Sequence, residues 1–223
     1  MINFEALYEL AVQHKGSVSE VEHDLPQALS TALFNQIPDD RWLANMTMCI
    51  FQAGFVWKVI KNKWPDFEIA FSEFHPRYWA QVSPEVLEGL TKDVRIVRNA
   101  QKINTVPVNA QFILDTQKSH GNFSKWVNHF EDDNLHGLYQ ALKDQGGRLG
   151  GNSAMYLMRL SGKDTYLFSN HVIAALIREK VIDKNPTSKK AKAAVNAAFC
   201  IWKQQSGRSF AEISRILAMT VWD

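Results

Sequence analysis

The chain has 223 residues, 46% of them hydrophobic and 22% charged, with a net charge of +2 and a pI near 8.5. That length supports one large core or two lobes sharing an interface, and the ordinary composition excludes a disordered or fibrous class. The basic excess is mild, so nucleic acid is a compatible partner only where the basic residues cluster.

In chain order, the opening MINFEALYELAVQHKG carries Glu5 and Glu9 where a secretory leader would be basic and then apolar. The longest apolar runs, AALI and AFCIW, fall far short of the ~20 residues that span a bilayer, so a cytoplasmic protein with no membrane partner is expected. Phe4, Leu7, Tyr8 and Ala11 form one helical stripe, and Leu25 to Phe34 read as another. Strict alternation is hard to find, so the periodicity predicts an all-α fold. Asp39-Asp40 opens a long helix from Trp42 to Lys63 that Pro65 closes, and Ser83-Pro84-Glu85 places a cap, a first-turn proline and an acid in order. Further breaks fall at Pro76, at Gly121, across Gly146 to Gly151, at SGKDTY and at DKNPTSKKAK. The stretch from Lys184 to Lys192 holds four lysines and reads either as a solvated loop and helix start or as a phosphate-facing patch. No linker forces a split, so residues 1–223 are expected to form a single globular unit. Cys49 and Cys200 lie in apolar surroundings, which predicts buried, inert thiols and neither a disulfide framework nor a Cys-rich zinc site.

Three stretches carry chemistry. FQAGFVWKVIKNKW, from Phe51 to Trp64, is either an ordinary buried helix, with Trp57 and Trp64 seven apart on one core-facing stripe, or part of a pocket that stacks a flat ligand such as a nucleobase. The cluster GGRLGG sits between the helical patterns LHGLYQALKDQ and NSAMYLMRLSG. Such a hairpin lets backbone amides at the start of its second helix approach a phosphate, and it is also common as plain packing between antiparallel helices. YLFSNHVIAALIREK, from Tyr166 to Lys180, reads as an amphipathic helix capped by Ser169 or Asn170, with His171 in its first turn. Ala175 stands one turn further on, where a zinc set would need a second ligand, so no metal is expected. A Walker loop, a Gly-x-Ser-x-Gly elbow, His-Glu-x-x-His and a dinucleotide-binding Gly-x-Gly-x-x-Gly are all missing, which disfavours those enzyme classes.

Several blocks occur together in a telling order: QAGFVW (Gln52 to Trp57), FSEFHP (Phe71 to Pro76), KDVRIVRNAQKI (Lys92 to Ile103), Asn109-Ala110, and GGRLGGNSAMY followed by NHV. In order and spacing the chain resembles the bacterial 3-methyladenine DNA glycosylase I family, within the helix-hairpin-helix DNA glycosylase superfamily, over Met48 to Val172. The resemblance implies an all-α, two-lobed helical bundle around a central cleft, with the hairpin region at residues 135–180 gripping double-stranded DNA while a damaged adenine is flipped into an aromatic pocket. On that reading Trp57 stacks the base, with Cys49, Gln52 and Phe55 around it. Gly150, Gly151 and Asn152 offer amides to phosphate, Arg148, Lys163 and Arg98 add charge, and Ser169, Asn170 and His171 complete the DNA-binding set. The implied activity is hydrolysis of the N-glycosidic bond of alkylated purines in base excision repair, by a monomer without a cofactor.

The departures from the family pattern are specific. Cys49 occupies the place of a glutamate that contacts the lesion base, and a thiol cannot accept base N–H hydrogen bonds as a carboxylate does. The family's N-terminal Tyr-His-Asp-x-Glu-Trp block and two of its zinc ligands have no counterpart in MINFEALYELAVQHKGSVSEVEHDLP; of the C-terminal ligand pair only His171 is matched, with Ala175 in place of a cysteine. Ser169 stands where many helix-hairpin-helix glycosylases carry an aspartate. A cationic methylpurine is already a good leaving group, so less transition-state stabilisation is required of the protein. The catalytic base remains unassigned, Asp164 and Glu131 being unranked substitutes, and a DNA-binding or lesion-recognition protein with impaired catalysis is the alternative.

Overall fold

The computed structural model describes residues 1–222, the side chain of Asp133 apart. Fifteen α-helices run along these residues: α1 (Phe4–Lys15), α2 (Val18–His23), α3 (Thr31–Phe34), α4 (Asp39–Gln52), α5 (Trp57–Ala70), α6 (Pro76–Trp79), α7 (Pro84–Lys92), α8 (Ala100–Ile103), α9 (Thr105–His120), α10 (Phe123–Asn128), α11 (Leu135–Gln145), α12 (Asn152–Leu160), α13 (Asn170–Arg178), α14 (Lys189–Ser206) and α15 (Phe210–Met219). There is no strand among the described residues, and the all-α fold predicted by the periodicity is the fold adopted.

Four helix boundaries differ from the sequence reading. The long helix from Trp42 to Lys63 is two helices, because Ala53 turns to extended backbone and Gly54 takes the left-handed φ of +75°, which glycine adopts without the Cβ penalty. Pro65 lies inside α5 rather than closing it. Leu25 to Ser30 is irregular and only Thr31–Phe34 is helical, since Pro26 biases Leu25 away from the helical region and the Ser30 side chain starts α3 by accepting from the Leu33 amide. Tyr166 to Phe168 is likewise outside a helix; α13 begins after Ser169, whose hydroxyl accepts from the Val172 amide. The lysine-rich stretch is a loop and the start of α14.

The chain divides into two compact units. The first comprises residues 1–29, 131–136 and 162–222. Here α15 packs against α1, α13 and α14, burying Phe4, Leu7 and Ala11 of α1, Val172 and Leu176 of α13, and Phe210, Ile213 and Leu217 of α15. Tyr166 stacks on Phe199 with 4.4 Å between ring centroids and donates its hydroxyl hydrogen to Asn196 Oδ1 at 3.0 Å, so this buried phenol keeps a partner. Ser209 and Glu212 form a reciprocal capping box at the start of α15.

The second unit comprises residues 30–130 and 137–161. Its central helix, α4, packs against α5, α8, α9, α10 and α12. Trp42 is fully buried between Phe34 and Phe123 and donates its indole N–H to Ser124 Oγ at 2.7 Å. Truncating such a ring to alanine costs roughly 3–5 kcal/mol. Trp64, Phe67, Phe71 and Phe74 form a column of near-parallel rings, with half-buried Trp64 at its edge. The column supports an uncommon left-handed turn in the FSEFHP block, where Ser72, Glu73 and Phe74 have φ of 47°, 55° and 59°. Arg41 braces it, pairing through two nitrogens with Glu68 at 2.8 and 3.1 Å and donating to the Glu73 carbonyl at 2.9 Å.

Candidate nucleic-acid interface

The break between α4 and α5 makes the site. Four residues, 53–56, separate the helices, and α5 begins at Trp57 without a side-chain cap on its first-turn amides. Because the chain turns here instead of continuing as one helix, Trp57 leaves the core-facing stripe: it is 44% exposed, and its ring meets Tyr156 of α12 edge-to-face at 5.0 Å. Phe55 and Val56 are exposed beside it, while Cys49 and Gln52 are buried beneath in the last turn of α4. Burial pushes the Cys49 thiol up to about 12, so at neutral pH it is an uncharged, unreactive group.

Lys102 of α8 holds this turn in place. Its ammonium donates to the carbonyls of Phe51 and Ala53 at 3.2 and 2.7 Å, carbonyls left without helical partners at the negative end of α4. It also lies 4.4 Å from the centre of the Phe55 ring. Burial, and secondarily the charge of Arg148, draws the Lys102 pKa below the usual lysine range.

The glycine cluster forms the connection predicted for it: α11, a turn across residues 146–151, and α12. Asn109, fully buried on α9, pins the turn from both sides, accepting from the Gly147 amide at 2.7 Å and donating to the Gly147 carbonyl at 3.3 Å. Gly146 has no room for a side chain, since a Cβ would stand 2.8 Å from the Leu142 carbonyl oxygen. Gly151 has φ 59° and ψ −135°, a region essentially reserved to glycine, and it aims the uncapped start of α12 outward with Asn152 exposed at its first position. Arg148, also exposed, reaches Gln101 at 2.5 Å.

Trp57, Phe55, Cys49, Gln52, Arg148, Gly150, Gly151 and Asn152 thus share the second unit, as does exposed Arg98, whereas Lys163, Ser169, Asn170 and His171 belong to the first. Lys163 is half-buried, its pKa drawn down by that burial against the opposing pull of Asp132, Asp164 and Glu131. Of the two substitute acids, Asp164 has structural work: it accepts from the Ala211 amide at 2.9 Å and pairs with Lys203 at 3.2 Å. Lys102, Asn109 and Tyr156 were not singled out as functional residues by sequence reasoning, although all three lie in the quoted blocks, and nothing in their spacing marks a role.

Residues 34–147, just over half of the chain, match the family model for methyladenine glycosylase. The chain belongs to that family. The match includes Cys49, Trp57, Lys102 and Asn109 and ends inside the glycine turn. Among solved structures, the chain is similar to 3-methyladenine DNA glycosylase I from Staphylococcus aureus, with a TM-score of 0.53 and 22% identity over 67% of this chain and 86% of that one. It is also similar to the 8-oxoguanine glycosylase/lyase of Methanocaldococcus jannaschii, solved in complex with a 15mer DNA containing 8-oxoguanine, with a TM-score of 0.53 and 13% identity over 95% of both chains. At these identities the likeness concerns the fold, which is that of the helical DNA glycosylases. No helix among the described residues is long and apolar enough to cross a membrane.

The zinc that the resemblance attaches to the family does not suit the residues present. His171 shares a cavity with His14, but the other polar side chains lining it are Lys15 and Arg215, and Ala175 is fully buried one turn on. No group of three or more His, Cys, Asp or Glu among the described residues is arranged to hold a metal. Two imidazoles beside two fixed cations are a poor donor set for a divalent metal.

Proposed function

We propose that this protein is a DNA glycosylase that removes alkylated purines of the 3-methyladenine type from double-stranded DNA, acting as a cytoplasmic monomer in base excision repair. The observation that carries the reading is Trp57: an indole 44% exposed, braced by Tyr156, in a chain whose family excises methylated adenine. A base taken out of the helix forfeits its stacking, and an aromatic face returns ~1–3 kcal/mol. A cationic alkylated purine gains further from the electron-rich indole. The start of α12, with Gly150, Gly151 and Asn152, is then the phosphate contact of the unit that carries Trp57, and Arg148 adds a cation beside it. Lys163, Ser169, Asn170 and His171 are assigned to the remaining DNA contact.

Incubation with methylated duplex DNA and quantification of free 3-methyladenine tests the proposal. Release above the spontaneous rate supports it, and none at high protein concentration rejects catalysis.

Two observations favour the second reading, a family member that grips damaged DNA without hydrolysing it. Cys49 is an uncharged thiol where the resemblance would set a lesion-reading carboxylate, and the Lys102 ammonium places positive charge 4.4 Å from the Phe55 ring, which disfavours a cationic base there. Salt-dependent binding to alkylated duplex with no base release selects that reading, because each phosphate contact displaces counterions.

A further inference from the structure

In the first unit a cavity of about 440 Å³ lies between the end of α1, the first turn of α13 and the end of α15. Its polar lining consists of His14, Lys15, His171 and Arg215, and its apolar wall includes Met219 and Trp222. Asp24 makes ion pairs with the cations here, its Oδ2 accepting from Lys15 Nζ at 3.0 Å and from Arg215 Nη2 at 2.9 Å. One carboxylate set between two cations leaves a positive charge over, along with the other donors of an ammonium and a guanidinium. The pull of both cations holds the Asp24 carboxyl below its ordinary range, so it stays ionised and does not itself join the cavity as a neutral donor. His23 approaches the other Asp24 oxygen at 3.9 Å.

The two imidazoles complete the set. His14 donates from Nδ1 to the Met219 carbonyl at 2.5 Å, which fixes the ring, while its Nε2 is buried with no hydrogen-bond partner among the described residues. The His14 ring packs edge-to-face against Trp222, with 3.6 Å between centroids, and so forms part of the cavity wall. His171 lies in the first turn of α13, where the amide ends give the positive pole of the helix.

We infer that this cavity, lined by His14, Lys15, His171 and Arg215, is an anion site for a phosphate group, held by the two cations and His171. The site fits either free phosphate or a phosphate of a nucleic-acid strand. It does not depend on the glycosylase reading, because phosphate binding is read with no DNA present.

The test is a titration of the full chain with inorganic phosphate at constant pH and ionic strength, following the ring resonances of His14 and His171. Saturable shifts at both rings are expected, with binding weakened about tenfold or more in Arg215→Gln and in His171→Gln. His171 is exposed, so the second variant keeps its fold even if the first disturbs the Asp24 pairs. Competition by an undamaged duplex assigns the phosphate to a DNA strand; phosphate binding without such competition assigns it to a free anion. Unsaturable or missing shifts at His14 and His171 overturn the inference. So does stoichiometric uptake of Zn²⁺ when the metal alone is titrated and both rings become its ligands.

Discussion

Replacing Trp57 by alanine separates a ligand-facing indole from a structural one. The ring is 44% exposed and its aromatic partner is Tyr156, 5.0 Å away and edge-to-face. A pair of that geometry contributes about 0.5–1.5 kcal/mol, so the folded state should lose on the order of 1 kcal/mol, a shift of about 2–4 °C in Tm for a chain of this size. Against a flipped base the loss is larger, ~1–3 kcal/mol of stacking, which at 1.36 kcal/mol per decade is about 5- to 150-fold in kcat/KM. The assay is single-turnover release of base from methylated duplex, run beside a thermal melt, with Trp57→Phe as a variant that retains part of the effect. If the protein binds lesions without releasing them, the same factor is read as lost preference for alkylated over undamaged duplex. A folded Trp57→Ala protein that releases and binds within twofold of the parent refutes the stacking role. A loss of 3–5 kcal/mol in stability would instead place the ring among core residues such as Trp42.

Three further outcomes follow from the geometry. Arg148→Ala should weaken duplex binding evenly across sequences and reduce the slope of log affinity against log salt by about one, measured by fluorescence anisotropy at several salt concentrations. Gly151→Ala places a Cβ in open space but on a backbone with φ 59° and ψ −135°, so denaturant unfolding should show a loss of about 1–3 kcal/mol from conformational strain alone. Burial pushes the Cys49 thiol up to about 12 from its ordinary 9.0, so the unfolded chain releases this proton first and stability falls as pH rises from 9 towards 12. The wild type should therefore lose about 1.4 kcal/mol per pH unit more than Cys49→Ala in that window, where urea melts of the two can be compared, and parallel curves would show that the thiol is not desolvated.

Much of this molecule is legible in its sequence because short-range rules decide it. The period of the apolar residues gives the all-α class, the cap at Ser169 starts α13 with the expected side-chain bond, and the glycine cluster marks the turn between α11 and α12. The missed break between α4 and α5 is instructive, because QAG has no proline and its residues suit a helix apart from one glycine. What opens the chain there is a contact remote in sequence, the Lys102 ammonium satisfying the carbonyls of Phe51 and Ala53, together with Gly54 in the left-handed region. Pro65 misled in the opposite sense, since α5 runs through it to Ala70. Asn109 shows the same limit: a buried asparagine on α9 carries no pattern that announces its two bonds to Gly147, 38 residues away. The cavity that joins His14 to His171 is likewise set by how α1, α13 and α15 pack, which no local spacing encodes.

Whether the exposed indole at position 57 receives a damaged base, as proposed, is read by titrating free 3-methyladenine while following the indole resonances of all seven tryptophans. Saturable ring-current shifts are expected at Trp57 and at its neighbour Tyr156, with the fully buried Trp42 and Trp202 unmoved. Saturable shifts centred on other tryptophans, or a Trp57 signal that stays still while the base demonstrably binds, would contradict it.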